Sequence, residues 1–357
     1  MGIVATQTGR FYDSYRREFG LHPTRSNRLA AWAVVGVAFG VVPFISSDYW
    51  LGNLSAIGVA ALAALALNVL TGFTGQISIG TAAFAAVGAY TAGNLAMRYQ
   101  LSPLLTLPAA ALVTGAVALV VGLAALRIKG LYLAIATLAF QFVVEWLLFH
   151  WSEVTGGVQG VISVPRAHLG PLDLNDPLGK YLFIAGVLGL CVVFVENLFR
   201  TRIGRAFVAI RDQHVVAAGM GIPVFRYKLA AFFCSSALAG LSGGLYAYYV
   251  GLISSEQFGL DLSVRYLAMI LIGGLASIPG SILGAAFVTM LPIVIRWIVE
   301  GFGSYFFTAS ELAGVSSSAR LIVFGSLIIF FLVVEPEGLN RLWRNIRNYF
   351  RVWPFSY

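Results

Sequence analysis

Residues 199–228, FRTRIGRAFVAIRDQHVVAAGMGIPVFRYK, decide what kind of fold this chain can adopt. They carry five arginines and one lysine, although only 11% of the chain is charged. The flanking segments 181–198 and 229–250 are long and apolar, as membrane spans are. Because Lys and Arg hold short loops on the cytoplasmic side, we expect a basic cytoplasmic loop between two spans, where a soluble partner can contact it.

The composition of the whole chain is that of a membrane protein. Hydrophobic residues make up 59% of it and the mean hydropathy is +0.85, against an apolar share of about 45–50% in soluble domains. The net charge of +8 would suit nucleic acid, but the basic residues lie between apolar runs. We therefore expect contact with the lipid bilayer and no nucleic-acid partner. Cys191 and Cys234 lie inside apolar runs, which argues against a disulfide framework.

Apolar runs long enough to cross a bilayer recur about ten times along the chain. They predict an all-α integral membrane protein with about ten transmembrane helices, some of them broken or re-entrant. The predicted spans are 29–46, 54–72, 80–97, 104–126, 131–151, 181–198, 229–250, 262–278, 281–300 and 320–334. The segment 262–278 is short and ends at SIPGS, so a re-entrant helix is the alternative there.

Basic residues are unevenly divided between the two sides that ten spans define. With the N-terminus inside, 17 of the 23 Lys and Arg residues fall in inner segments. Because positive loops stay in the cytoplasm, we expect both termini there. The predicted organisation is a transmembrane domain over 29–334 between basic cytoplasmic segments at 1–28 and 335–357.

Two stretches within the predicted spans are rich in small residues: GFTGQISIGTAAFAAVGAYTAG (72–93) and IGGLASIPGSILGAAFV (272–288). Small residues let helix backbones approach closely in lipid. Glycines also permit broken helices, which are tolerated at membrane depth where protein or a wet cavity surrounds them. The loose likeness of the two stretches is consistent with two halves of a duplicated transporter with the substrate path between them, although one sequence leaves the repeat open.

Polar residues in and before the first of these stretches are the candidates for a passage, because polar groups at membrane depth tend to face the interior of a bundle. The candidate path residues are Asn68, Thr74, Gln76, Ser78 and Thr81. The alternative is that they form hydrogen bonds between helices and nothing more. Glu145, a carboxylate near the outer end of a predicted span, would reach the interface or pair with a cation of a partner subunit.

Within the basic loop, residues 205–218 are predicted to form one short helix. Phe207 and Ile210 lie three residues apart on one face, and Pro223 prevents continuation of the helix. The candidate coupling residues, including glycines that can end the helix, are Arg205, Phe207, Ile210, Arg211, Asp212, Gly219 and Gly221. The alternative is a basic loop that serves only to orient the chain.

Several blocks of the sequence resemble one known family. They are LNVLTGFTGQISIGTAAFAAVGAYTAG (67–93), LRIKGLYLAIATLAFQFV (126–143), TGGVQGV (155–161), RIGRAFVAIRDQHVVAAGMGIPVFRYKLAAFFCSSALAGLSGGLYAYYVGLISSEQF (202–258) and AMILIGGLASIPGSILGAAF (268–287). In this order they resemble the LivM-type permease subunit of branched-chain amino acid ABC importers. The likeness covers about 67–290.

The resemblance implies the LivM/LivH-type permease fold in a bacterial inner membrane. It also implies three kinds of partner: a LivH-type permease subunit, two cytoplasmic ATPase subunits, and a periplasmic or lipoprotein solute-binding protein. ATP and Mg²⁺ would be bound by the ATPase subunits, with no cofactor in this chain. The implied solutes are branched-chain or other neutral amino acids, with urea, short amides and aromatic acids as alternatives. The resemblance favours coupling to the ATPases as the role of 205–218.

The residues themselves argue against an enzyme. The ATP-binding pattern G-x-x-x-x-G-K-[ST] is absent, since Lys180 of the one Gly-Lys pair is followed by Tyr181. The four histidines are scattered without metal-ligand spacing, so no catalytic or metal site is expected. An ion-coupled secondary transporter remains the other class; it would need embedded ionisable residues, for which Glu145 is the candidate.

The charge asymmetry generates a test of orientation. In a background without Cys191 and Cys234, a cysteine replacing Gln159 should react with an impermeant thiol reagent added outside the cell. A cysteine replacing Gln213 should react only after permeabilisation, because its loop is basic and is retained inside. Reversed labelling would contradict both the orientation and a cytoplasmic role for 205–218.

Overall fold

The computed structural model describes residues 36–126, 131–157, 160–165, 168–169 and 172–303, with short pieces between 322 and 341. The predicted N-terminal segment 1–28 lies outside the described residues. The predicted spans 29–46 and 320–334 and the segment 335–357 lie partly outside them.

Long helices make up most of the described chain. The main helices are α1 (Asp48–Thr74), α2 (Thr81–Tyr99), α3 (Pro103–Ala125), α4 (Leu131–His150), α5 (Pro177–Arg200), α6 (Arg202–Asp212), α7 (His214–Gly219), α8 (Val224–Val250), α9 (Leu260–Gly273) and α10 (Ile278–Gly303). Shorter turns of helix occupy Val37–Val41, Val42–Ile45, Ser152–Thr155 and Ser255–Phe258.

Six of the described helices are long and apolar enough to cross a membrane: α1, α3, α4, α5, α8 and α10. The predicted multi-pass helical protein is thereby confirmed, whereas the count of about ten spans stays a prediction. Helix α9 differs from the predicted span 262–278 because it ends at Gly273 after 14 residues. At 1.5 Å per residue it is about 21 Å long, too short for a hydrocarbon layer of about 30 Å.

Short strands join the loops at one end of the bundle, which we call the strand end. Strand β1 (Val161–Ser163) pairs antiparallel with β4 (Leu252–Ser254), and Ile162 faces Ile253 in the register. Both isoleucines are buried, so this pair ties the loop before α5 to the end of α8. A second antiparallel pair joins β2 (His168–Leu169) to β3 (Leu172–Asp173).

Helix α8 lies at the centre and packs against α1, α2 and α3. Small residues make these contacts possible. A Cβ atom at Gly88 of α2 would clash with the carbonyl of Gly240 in α8, and one at Gly243 would clash with the carbonyl of Ala85. Gly88, in the glycine-rich stretch 72–93, therefore allows the predicted close approach, and Gly243 of α8 does the same where α2 crosses α8.

Helix α1 runs the length of the bundle. Its first residue, Asp48, shares a cavity with Lys180 and Tyr249 at the strand end. Its last residue, Thr74, shares a cavity with Arg211 at the other end, which we call the α6 end. Because α1 also contacts α5, α8, α9 and α10, it connects the two ends of the molecule to one core.

Candidate functional site

The chain between α1 and α2, residues 75–80, is a break in helical structure within the glycine-rich stretch. Helix α1 ends at Thr74, and the cap residue Gly75 has a left-handed φ of 67°, a conformation that favours glycine. The amide of Gln76 donates to the Leu70 carbonyl at 3.2 Å, and the Thr71 hydroxyl donates to the Gln76 carbonyl at 3.1 Å. The predicted broken helix is thus present and has a defined C-terminal cap.

Side chains of other helices bind the amides at the start of α2. The hydroxyl of Thr137 in α4 accepts from the Ile79 amide at 3.0 Å. The hydroxyl of Ser263 in α9 accepts from the Ala82 amide at 2.9 Å. Since Gly80, the residue before α2, has no side chain with which to cap these amides, the pairing comes from residues distant in sequence.

Gln141 of α4 is the most fully bonded of these capping side chains. Its Oε1 atom accepts from the Ala83 amide at 2.8 Å and from the Ser263 hydroxyl at 3.2 Å. Its Nε2 atom donates to the Phe258 carbonyl at 2.8 Å. Gln141 is fully buried, so it joins α2, α4 and the start of α9 through bonds that water does not replace.

A second break separates α9 from α10 at residues 274–277, and Asn68 of α1 binds it. The Asn68 side chain accepts from the Ala276 amide at 2.9 Å and donates to the Ser277 carbonyl at 2.9 Å. It also donates to the Ser281 hydroxyl at 2.7 Å. Ala276 has a positive φ of 56°, a conformation that is costly for a residue with a side chain and that these bonds help to hold.

The structure places every predicted path residue in the interior of this chain. Asn68, Thr74, Gln76, Ser78 and Thr81 are each at most 4% exposed. Asn68 has the hydrogen-bond set of a structural clamp, which is the alternative given above. Gln76 differs, because its Nε2 atom donates to Thr74 while its Oε1 atom has no partner among the described residues. A passage formed by these side chains stays a prediction.

Sequence reasoning did not select several residues that hold the two breaks. The predicted path residues do not include Gln141, Thr137, Ser263, Ser277 or Ser281, although these side chains bind the two breaks or the residues that hold them. Single Ser and Thr residues in apolar helices give little signal, since such residues also bond to their own helix. Their partners here lie 58 to 213 residues away in sequence, which local patterns do not indicate.

The predicted helix 205–218 is two helices, and this is a correction. Helix α6 ends at Asp212, Gln213 takes an extended conformation with φ −155°, and α7 follows as a separate short helix. The Thr201 hydroxyl accepts from the Gly204 amide at 3.3 Å and caps α6. Gly219 is the last residue of α7, and Gly221 adopts a left-handed φ of 82° before Pro223, as predicted for the end of the loop.

Phe207 and Ile210 were expected to offer apolar anchors to a partner, but both are buried in this chain. Phe207 is 0% exposed and Ile210 is 4% exposed. The ring of Phe207 contacts Phe199 of α5 and Tyr227 of α8 edge-on. The apolar face of α6 therefore attaches the helix to its own bundle. The exposed residues include Arg205 and Asp212 of α6, Val215 and Val216 of α7, and Met220 directly after α7.

Arg211 bridges α6 and the last turn of α1. Its Nη1 atom donates to the Gly72 carbonyl at 3.1 Å, and its Nε atom lies 3.3 Å from a carboxylate oxygen of Asp212. The last carbonyls of a helix lack partners within that helix and attract cations. Arg211 is thus well placed to satisfy one of them.

A cavity of about 930 Å³ lies at the α6 end between α7 and the start of α8. Its wall is formed by the ends of α1 and α3, by α6 and α7, and by the start of α8. The lining residues are Thr74, Gly75, Leu126, Ile210, Arg211, His214, Val215, Ala218, Val224, Phe225 and Lys228. A smaller cavity of about 420 Å³ at the strand end has Asp48 and Lys180 in its wall. The two ends thus differ in charge: the first cavity has cationic groups and the second has one group of each sign.

These features define a multi-pass helical membrane protein with two interior helix breaks and a short helical element outside the spans. Residues 49–332 match the family described as branched-chain amino acid transport system, permease component. The chain therefore belongs to that family, and it is a transmembrane permease subunit of the ABC-importer type. The predicted relationship is confirmed.

Curated relatives agree with this assignment. The chain is 30% identical over 334 residues to the high-affinity branched-chain amino acid transport permease LivM of Salmonella typhimurium, covering 87% of this chain and 74% of the relative. The figures for LivM of Escherichia coli are the same. A probable LivH permease of Methanocaldococcus jannaschii is 24% identical over 80% of this chain and 90% of the relative. No solved structure matches.

The hydrogen bonds of Asn68 allow a test of whether this residue holds the second helix break in place or lines a passage for solute. We expect Asn68→Ala to lower the thermal unfolding midpoint of the purified permease, because it removes the acceptor of the Ala276 amide, and an unpaired buried group costs about 1–3 kcal/mol. Ser55→Ala is the control, since Ser55 is equally buried in α1 but bonds only within its own helix. Unchanged stability with lost transport would instead make Asn68 a path residue.

Proposed function

We propose that this chain forms half of the translocation pathway for branched-chain or other neutral amino acids in a binding-protein-dependent ABC importer of a bacterial inner membrane. The family match over 49–332 is the observation that carries this proposal. Urea, short amides and aromatic acids are alternative solutes that the same mechanism would serve. The relatives named LivM and LivH favour amino acids.

The energy source in this proposal is a separate pair of ATPase subunits that bind ATP and Mg²⁺. The sequence has no phosphate-binding Gly-Lys-Ser/Thr loop of its own. A LivH-type permease subunit would supply the other half of the pathway, and a periplasmic or lipoprotein binding protein would deliver the solute. An ion-coupled carrier is less well supported, because Glu145 is half-buried at the edge of the bundle rather than in its core.

The proposed orientation places the α6 end in the cytoplasm, with both termini on that side and about ten spans in all. The concentration of Arg and Lys in 199–228 supports it. The proposed path passes the first helix break, where Gly75 and Ile77 are exposed and the side-chain Oε1 atom of Gln76 is unpaired among the described residues. A partner subunit facing Ile77 would complete the passage.

The charges at the strand end suit a zwitterionic solute. Asp48 and Lys180 share the cavity of about 420 Å³ there, so a carboxylate and an ammonium group are both available. An amino acid carries the complementary pair, whereas urea carries no charge. This cavity supports amino acids among the candidate solutes.

The proposed ATPase contact is the exposed side of α6 and α7. Val215 is 66% exposed and Met220 is 78% exposed, in a loop that is outside the apolar spans and would face water. Apolar side chains in such a place suit a protein groove, and Arg205 adds an exposed charge at the rim. Phe207 and Ile210 serve coupling in this proposal by holding α6 against α5 and α8.

Reconstitution tests the function. Vesicles containing this chain with its LivH-type partner, ATPases and binding protein should accumulate leucine when ATP is supplied, and should not do so when the binding protein is left out. The matched control is the same preparation with an imposed ion gradient and no ATP. Uptake driven by the gradient alone would contradict the importer and favour a secondary carrier.

Substitutions on the two sides of the loop should have different effects. Val215→Ala with Met220→Ala should reduce recovery of the ATPases on pull-down while the permease stays stable, since truncated anchor residues typically cost about 2 kcal/mol or more of binding. Phe207→Ala with Ile210→Ala should lower the unfolding midpoint of the permease itself. Arg205→Glu should have little effect, because exposed charge pairs contribute about 1 kcal/mol or less. Full ATPase binding by the first pair would place the contact elsewhere.

A further inference from the structure

The last turn of α1 is the point at which the loop helices meet both helix breaks. On one side Arg211 of α6 donates to the Gly72 carbonyl. On the other side, Asn68 lies one turn earlier and binds Ala276 and Ser277 in the second break. The first break begins directly after this turn, at Gly75. A displacement of the turn would therefore reach both breaks through existing contacts.

Because Gly75 has no side chain, Arg211 lies close to the backbone there, in addition to its hydrogen bond to Gly72. A Cβ atom added at Gly75 would lie 3.1 Å from the Arg211 Cγ atom and 3.6 Å from its Cα atom. The side chain of Arg211 thus lies along the backbone at the start of the break while its guanidinium reaches back to Gly72. Arg211 is held by bonding and by contact, so its position and that of the break are linked.

Apart from Arg211, α6 and α7 make few contacts on the side that faces the cavity. The cavity of about 930 Å³ separates Val215 and Ala218 of α7 from the first residues of α8. The remaining attachment of α6 is apolar and lies on its far side, where Phe207 contacts Phe199 of α5 and Tyr227 of α8. Movement of the loop helices would therefore reach the last turn of α1 through the Arg211 hydrogen bond, besides the apolar route in which Phe207 contacts Phe199 and Phe199 stacks on Phe73.

We propose that Arg211 is a positioning residue that transmits displacement of α6 to the last turn of α1 and so to both helix breaks. The inference rests on the proposed function, in which ATPase subunits move α6 and α7. It assigns to Arg211 a role inside the permease, in place of the contact with the ATPase that the sequence alone suggested. Coupling then depends on a side chain that can donate a hydrogen bond to the Gly72 carbonyl, which an apolar side chain cannot do.

The test uses the complete transporter in vesicles and measures leucine molecules transported per ATP hydrolysed. Arg211→Ala should keep the ATPases bound and hydrolysing, yet lower this ratio about fivefold or more, the lower end of the usual range of coupling between two sites. Arg211→Lys, which retains a cationic donor, should restore part of the ratio. The control Arg265→Ala removes an exposed arginine of α9 whose ion pair with Asp261 lies within its own helix, away from the loop helices, and should leave the ratio unchanged.

A second measurement reports on the break directly. In a background with Cys191→Ala and Cys234→Ala, a cysteine is introduced by Ile77→Cys, whose side chain is 42% exposed in the native chain. With Arg211 present, its labelling rate should differ between the nucleotide-free and the vanadate-trapped transporter. With Arg211→Ala the two rates should be equal, a result that a merely destabilised fold would not produce while ATP hydrolysis continues.

Two outcomes would overturn the inference. An unchanged ratio with state-dependent labelling in Arg211→Ala would show that the break follows the ATPases without Arg211. Loss of ATPase binding in Arg211→Ala would make it a docking residue instead. Failure of the proposed function has a different signature, since the unsubstituted transporter would then show no ATP-driven uptake at all.

Discussion

A backbone amide or carbonyl that leaves a helix inside a membrane needs a hydrogen-bond partner from the protein, because hydrocarbon offers none. The buried backbone groups at both helix breaks of this permease meet the same requirement, because side chains of the protein bind them. At the first break, Thr137, Gln141 and Ser263 bind the amides that precede and begin α2. At the second, one side chain, Asn68, binds both an amide and a carbonyl. Non-helical backbone is therefore tolerated in the core at the positions where these side chains bind it.

The same residues determine how the helices are arranged. Gln141 can reach Ala83 only if α4 lies against the start of α2, and Asn68 can reach Ala276 only if α9 and α10 meet beside α1. Close approach also requires small residues, which is why Gly88 and Gly243 occur where α2 crosses α8. Polar hydrogen bonds and close helix contacts thus determine one arrangement of the helices. Burial of apolar side chains alone would favour no particular arrangement, because lipid is itself apolar.

The sequence predicted those parts of the structure that local pattern controls. The apolar runs gave the positions of the long helices, and the glycines of 72–93 predicted a break that begins at Gly75. It did not predict the separation of α6 from α7, since nothing in the run of residues around Gln213 forbids a continuous helix. It also assigned Phe207 and Ile210 to a partner, because spacing identifies an apolar face without showing what covers it. Caps that act across more than 50 residues leave no local pattern.

The capping of α2 also orders the assembly of the chain. Ser263 and Phe258 follow α2 by more than 150 residues, so they leave the ribosome long after α2 has entered the membrane. Until they arrive, the amide of Ala82 lacks its native acceptor, and Gln141, which binds the Ala83 amide, lacks its own partners Ser263 and Phe258. The first break therefore cannot take its final form. The newly made N-terminal half must therefore wait in an incomplete state for the C-terminal half. A nascent chain stopped before α9 would be expected to hold a site that chaperones and membrane proteases can recognise.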